Sequence, residues 1–275
     1  MPLRKAVYWS IFWVVLSLAF NVVVYYTEGQ QKALEFLTGY VIEKSLSVDN
    51  LFVFLIVFTI FGVDLRDQRR VLNYGIIGVI ILRGILIVLG SALVQEFHWI
   101  LYIFGAMLIY AGYRVVFGED AKIEPEKNIA VRIFRKIMPV DNNYHGHNFF
   151  IKKEGVLIAT PLFVCLLVVE TTDVVFAIDS IPAIFAITTD PFIVLTSNLM
   201  AVLGLRSLYF VLAEIHASFT YVKYGVGVVL AYVGVKMLIM DIFKIDTLVS
   251  LLIIISILMA SVLMSIVENR RHPSK

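Results

Sequence analysis

Apolar residues in this chain arrive in long blocks, and the charged residues gather in a few gaps between them. A helix needs roughly 20 mostly apolar residues to cross the hydrocarbon core of a bilayer. Eight blocks reach that length, at about 7–26, 34–62, 72–94, 98–118, 154–188, 191–214, 224–243 and 247–267. The pattern predicts an all-α, polytopic transmembrane helix bundle of about eight spans. The second and fifth blocks are longer than a straight crossing requires, so each must tilt, break or leave the membrane at one end. The first block follows Arg4 and Lys5, as a secretory signal would. It exceeds the roughly 7–15 residues of a signal's apolar region, and Tyr25-Tyr26-Thr27-Glu28 offers no small-residue cleavage site, so it reads as a retained span.

Composition agrees. Of 275 residues, 60% are hydrophobic and 16% charged, with a mean hydropathy of +0.90. A water-soluble globule is about 45–50% apolar and about 25% charged. The net charge of +2 is too small to suggest a nucleic-acid partner, and the lipid bilayer is the partner that the composition demands. Cys165 is the only cysteine, which excludes an intrachain disulfide and a cysteine-only metal cluster within one chain. No feature of the sequence sets the oligomeric state.

Lys and Arg accumulate in cytoplasmic loops. With the N-terminus inside, Arg4, Lys5, Arg66, Arg69, Arg70, the basic residues from Lys122 to Lys153, Lys223, Arg270, Arg271 and Lys275 fall on the cytoplasmic side. The other side receives only Lys32 and Lys244. Both termini are therefore expected in the cytoplasm, with residues 119–153 as a cytoplasmic linker between two halves, 34–118 and 154–243.

Those halves resemble each other. Glu43-Lys-Ser-Leu-Ser-Val-Asp49-Asn50 and Asp173-Val-Val-Phe-Ala-Ile-Asp179-Ser180 both read acid, five residues, acid, small polar, with each acid displaced by 130 positions. Arg83 pairs with Arg206, and Tyr110-x-Gly112-x-Arg114 with Tyr232-x-Gly234-x-Lys236, in the same order. Three spans per repeat force the second copy to enter with opposite orientation. That is the inverted-repeat plan of secondary transporters, whose sites lie near the midplane on interrupted helices. Pro161 and Pro182 in the fifth block suit an interruption.

An acid at the bilayer centre costs about 2.5–3.5 kcal/mol on insertion scales, so intramembrane carboxylates point to function. Glu43, Asp49, Glu170, Asp173 and Asp179 are such residues. Residues six apart on an ideal helix are separated by about 9 Å along the axis and about 120° around it. One straight helix therefore cannot aim both acids of a motif at one ion. An unwound turn could, as could partner acids from the other repeat, with the Asn50 amide, the Ser180 hydroxyl and freed carbonyls adding oxygens. Oxygen-only sites favour hard ions such as Mg²⁺, Ca²⁺ and Mn²⁺. Arg83 and Arg206 sit too deep to snorkel easily and are either counter-charges for the acids or structural pairs. Asn198 is either a further amide ligand or a helix-to-helix hydrogen bonder. His98 and His216 lie near span ends, and His145-Gly-His147 reads as a solvated loop. No H-E-x-x-H, G-x-S-x-G or P-loop is present, which leaves an intramembrane hydrolase unsupported.

The two acidic motifs, extended to Glu170-Thr-Thr-Asp173 and Ser180-Ile-Pro182-Ala, resemble those of the TerC family of bacterial membrane proteins. Leu37-Thr-Gly-Tyr40 and Thr188-Thr-Asp190-Pro191-Phe-Ile-Val-Leu-Thr-Ser-Asn198-Leu are similar to its Alx branch, and the resemblance runs from about Lys5 to the last span. Members of that branch commonly have a further apolar segment ahead of the region matching 7–26, which this sequence does not show. The resemblance implies a multi-pass protein of the bacterial inner membrane that exports Mn²⁺, with the metal-handling acids at Glu43, Asp49, Asp173 and Asp179. It also carries associations with tellurite resistance, alkaline pH and redox modulation. The expectation is a divalent-cation transporter, with no permanently bound cofactor and with protons as the exchanged ion. The rival is a redox-associated or partner-binding membrane protein that transports nothing.

Overall fold

The structure is a computed structural model, and it describes residues 3–118, 128–141, 143–153, 155–215 and 221–271. Side chains are described for these residues except Asp49, Phe52, Ile215 and 269–271. The chain runs α1 (Leu3–Glu28), α2 (Gln30–Phe61), α3 (Leu65–Glu96), α4 (Ile100–Phe117), α5 (Ile129–Ile137), β1 (Phe150–Lys153), β2 (Val156–Ala159), α6 (Pro161–Phe185), α7 (Pro191–Leu203), α8 (Leu205–Ile215), α9 (Val222–Leu238) and α10 (Thr247–Arg271). It is a polytopic helical membrane protein whose only sheet among the described residues is the β1–β2 hairpin.

Local chemistry sets the helix ends. Gly62 closes α2 in the left-handed conformation (φ 60°), and its N–H donates to the Phe58 and Thr59 carbonyls, a turn that a β-carbon disfavours. Pro161 and Pro191 each open a helix, where a missing N–H costs nothing, and the Asp190 side chain caps the Phe192 and Ile193 amides.

Several boundaries differ from the hydropathy blocks. Both α2 and α3 are 32 residues long, about 48 Å at 1.5 Å per residue, and α3 extends over the charged turn at Arg66–Arg70. The fifth block does not begin as a helix. Residues 156–159 are a strand paired antiparallel with 150–153 around Gly155, and the helix starts only at Pro161. Short apolar runs carry no period that separates strand from helix. The sixth block is two helices, α7 and α8, meeting at 43° about Gly204. Among the described residues, six helices are long and apolar enough to cross a membrane, or seven with the bent pair taken as one span. The remaining expected span, 224–243, is α9, only 17 residues long.

Of the ways a long block can be accommodated, the second does not break between its acids, since α2 is continuous through Glu43 and Asn50; the fifth breaks at Pro161, and α6 then continues past Pro182 to Phe185. Packing is reciprocal between the halves. α2 lies on α7 as α6 lies on α3, and α4 crosses α9 most extensively of all. At that crossing, glycines substitute for side chains in matched pairs. A β-carbon on Gly112 would lie 2.5 Å from the Gly227 carbonyl oxygen, and one on Gly234 would lie 2.6 Å from that of Gly105. Backbones this close exclude any larger residue.

Candidate functional site at Arg83

Arg83, midway along α3, is fully buried together with Glu43 of α2, while Asp173 of α6 is 1% exposed. The guanidinium engages Asp173 with two bonds, Nε to Oδ2 at 2.8 Å and Nη2 to Oδ1 at 2.9 Å, the planar fork that suits a carboxylate. Its Nη1 donates to Glu43 Oε1 and, at 3.4 Å, to Asn198 Oδ1 of α7. Four helices thus converge on one cation, and the two repeat-related first acids, Glu43 and Asp173, meet through it. The 9 Å problem within each motif is avoided because partners come from different helices.

The cluster is incompletely satisfied. Glu43 Oε2 and Asn198 Nδ2 are buried without a hydrogen-bond partner, and so, elsewhere on α2 and α6, are Asn50 Nδ2, Glu170 Oε2 and Ser180 Oγ, with Asn50 and Ser180 about two helical turns from Glu43 and Asp173. Burying a polar atom unpaired costs on the order of 1–3 kcal/mol, so a concentration of such atoms needs an explanation. With both acids ionised, the Arg83–Glu43–Asp173 group carries a formal charge of −1.

The remaining candidates are distributed around it. Glu170 lies one turn before Asp173 and presses its carboxylate on α3, where a β-carbon on Gly78 would sit 2.4 Å from both oxygens. Asp179 is partly buried and feels the charge of Arg114 on α4. Asn50 and Ser180 are buried on α2 and α6. Asp49 belongs to α2, and its side chain lies outside the described residues. Arg206 is not placed among the acids: it is partly exposed on α8 and donates to Asn73 of α3. Among the described residues, no three His, Cys, Asp or Glu side chains converge as a metal site.

His145 and His147 do not stand as a bare loop. His147 Nδ1 lies 2.5 Å from Asp67 Oδ1 at the start of α3, and His145 Nε2 lies 3.0 Å from Asp141 Oδ2. The Asn143 backbone N–H and the His145 ring hold Asp141 below the ordinary carboxylate range. His98 is largely exposed, 4.0 Å from Asp241, and His216 lies outside the described residues. Cys165 is fully buried in α6.

Sequence reasoning missed three cations or acids that join elements. Lys44, beside Glu43, donates to the Ala201 carbonyl at 3.1 Å, one of the last four carbonyls of α7, which the helix itself leaves unpaired. Lys236 is 8% exposed and donates to Ser250 Oγ at 2.8 Å. On the face opposite the linker, Lys32 bridges Glu35 (3.3 Å) and Asp190 (2.8 Å) at the rim of a cavity of about 640 Å³. A lysine next to a motif acid was the available signal for Lys44; the other two required the helix packing.

Comparison with known proteins places this architecture. The model of the integral membrane protein TerC family matches residues 28–273. The chain is 47% identical over 280 residues to the protein of Escherichia coli (strain K12) provisionally named membrane-bound redox modulator Alx, covering 99% of this chain and 87% of the relative. It is 45% identical over 271 residues to an uncharacterized membrane protein of Myxococcus xanthus (98% and 85%) and 40% identical over 269 residues to one of Rickettsia felis (98% and 89%). No solved structure matches the chain. A continuous match to the family model over the acidic helices and the bundle around them has one consequence: the chain belongs to the integral membrane protein TerC family.

Proposed function

We propose that this chain exports a divalent cation, Mn²⁺, from the cytoplasm across the bacterial inner membrane, with both termini cytoplasmic. The observation that carries the reading is Arg83: a fixed cation held between the first acids of two similar motifs, with Glu43 Oε2 and Asn198 Nδ2 left unpaired on the groups that touch it. Arg83 stands where a mobile cation would compete. A hard divalent ion entering from one side takes the Glu43 and Asp173 carboxylates from the guanidinium, and the unpaired Glu43 Oε2 supplies a further oxygen of the type Mn²⁺ accepts. Where protons rather than Arg83 neutralise the acids after the ion leaves, each exported ion is exchanged for the protons the carboxylates take up, and that exchange is the coupling. The reciprocal packing of α2–α4 with α6, α7 and α9 supports two inverted halves that rock about this site.

The test is cellular manganese, measured by elemental analysis in an exporter-deficient, manganese-sensitive bacterium. Native chain lowers it; Asp173→Asn, present in the membrane in equal amount, does not. Unchanged manganese with the native chain verified in the membrane overturns the proposal.

A second reading has one observation in its favour. Arg83 already satisfies most of Glu43 and Asp173, as a purely structural ion pair would, and relatives bear a redox name. In that case the purified protein binds no Mn²⁺ saturably. A thiol-based redox role would rest on Cys165, which is fully buried.

A further inference from the structure

The α4–α6 linker contains a helix that crosses nothing. α5 has nine residues, about 14 Å of helix, against the roughly 30 Å of a hydrocarbon core. It has a defined start, because the Asn128 side chain accepts from the Ala130 and Val131 amides at 3.0 and 3.3 Å. One face is used within the protein: Val131 is 1% exposed, and the Phe134 ring lies 5.0 Å from Phe163 of α6. The other face is apolar too. Ile129, Ile133 and Ile137 are 71%, 55% and 77% exposed. At about 100° per residue these three fall within an arc of about 80°, and Arg132 and Lys136, both exposed, flank that arc on one side.

Position decides what meets this face. Phe163 is the third residue of α6, where the chain enters its apolar span, and it anchors more than α5. Phe150 of the hairpin packs on the same ring at 4.4 Å, and Phe149 at 6.4 Å. α5 is therefore held at the level where α6 meets the membrane boundary, beside a strand that carries exposed Lys152 and Lys153. A short helix with an isoleucine stripe, basic flanks and a fixed height at the boundary has the design of an in-plane interfacial helix. Four basic side chains at that level match the phosphates of anionic headgroups.

We propose that the outer face of α5 is a lipid-docking site: Ile129, Ile133 and Ile137 sink into the headgroup–acyl boundary, and Arg132 and Lys136 bind the phosphates of anionic phospholipids. The linker between the two halves is thereby moored to the bilayer plane on its own face.

The test uses the full-length chain with Ile133→Cys; Cys165 is fully buried, so the introduced thiol is labelled alone. An environment-sensitive fluorophore at this position, in nanodiscs of phosphatidylcholine with or without phosphatidylglycerol, is expected to be quenched by doxyl-labelled lipid and not by aqueous iodide. In native mass spectrometry, Arg132→Gln/Lys136→Gln lowers the selection of phosphatidylglycerol over phosphatidylcholine roughly tenfold. Lys244→Gln, an exposed residue on the opposite face, leaves it unchanged. Quenching by iodide and not by lipid would show a water-facing helix. Protection from both quenchers that requires two chains per disc would show that a second copy covers the face. Either outcome overturns the proposal, and undiminished phosphatidylglycerol selection in the double variant overturns its headgroup part.

Discussion

Arg83 and Arg206 occupy matching places in two similar stretches of sequence, yet the structure uses them differently. Arg83 is fully buried and joins α2, α3, α6 and α7; Arg206 is partly exposed and meets a single neutral amide on Asn73. The cause is the backbone that carries each. α3 runs unbroken for 32 residues through Arg83, whereas the corresponding stretch of the second half bends by 43° at Gly204, two residues before Arg206. The Lys44 ammonium reaches that bend, donating to the Ala201 carbonyl, and a β-carbon on Gly204 would lie 2.6 Å from its nitrogen. The comparison therefore teaches that the asymmetry lies in the backbone break, not in the charges.

The largest expected effect breaks or sustains that contrast directly. Arg83→Met strands Glu43 and Asp173 without their cation, and removal of one partner from a buried ion pair costs about 3–5 kcal/mol. Arg206→Met removes a hydrogen bond to a neutral group at a partly exposed site, worth about 0.5–1.5 kcal/mol. Equilibrium unfolding in mixed micelles measures both. Equal losses would mean that the two arginines play equivalent roles. Stability should return in the triple variant Arg83→Met, Glu43→Gln, Asp173→Asn, with transport still absent, which separates the fold's need for the cluster from the cation's.

An intermediate effect comes from the two faces of α3. A β-carbon on Gly78 would meet the Glu170 oxygens at 2.4 Å, while one on Gly84 meets nothing within 4 Å. Gly78→Ala displaces the carboxylate end of the flexible Glu170 side chain and is expected to destabilise by up to about 1 kcal/mol. Gly84→Ala should be neutral or stabilising by up to about 1 kcal/mol, because glycine in a helix interior is costly. Thermal midpoints in detergent give the ranking, and a milder Gly78→Ala than Gly84→Ala would remove Glu170 from the site.

What could be read from sequence follows from which constraints are local. The apolar blocks were legible because a bilayer leaves no other way to satisfy a spanning backbone. Glu43 and Asp173 were legible because acids in such blocks are costly and here occur twice in register. The choice between Arg83 and Arg206 was not legible, since it depends on a bend stabilised by Lys44 from another helix. The strand at Val156–Ala159 reads as part of an apolar block; its pairing with 150–153 across the turn at Gly155, with φ 85°, makes it a strand, and only Thr160 stands between it and α6. The seat of Glu170 at Gly78 depends on how α3 and α6 face each other, which no spacing within either helix records. The isoleucine stripe of α5 was in plain sight at intervals of four residues, but it lay in a segment read only for its charge.

The smallest effect concerns a third contact between the halves, Lys32 of α2 with Asp190 at the start of α7. Both side chains are about a third exposed, at 31% and 29%. Burial raises the Asp190 carboxyl, but the Lys32 hydrogen bond and charge and the Ile193 and Phe192 amides outweigh it and hold the group below its ordinary value. A carboxylate depressed in the folded state contributes stability that is present above the unfolded value, about 3.9, and is lost as pH falls through the folded one. Asp190→Asn keeps a side-chain cap for α7 while deleting the charge. It should therefore lower stability at neutral pH by less than about 1 kcal/mol, less again in high salt, because half-exposed pairs are screened. The gap between native and variant should close as the pH falls below the ordinary carboxylate range, tracked by thermal midpoints. A gap that persists in strong acid would mean that the Asp190 oxygens act through the cap alone. Among the described residues, the buried Arg83 cluster would then be the ion pair that holds the two halves together by charge.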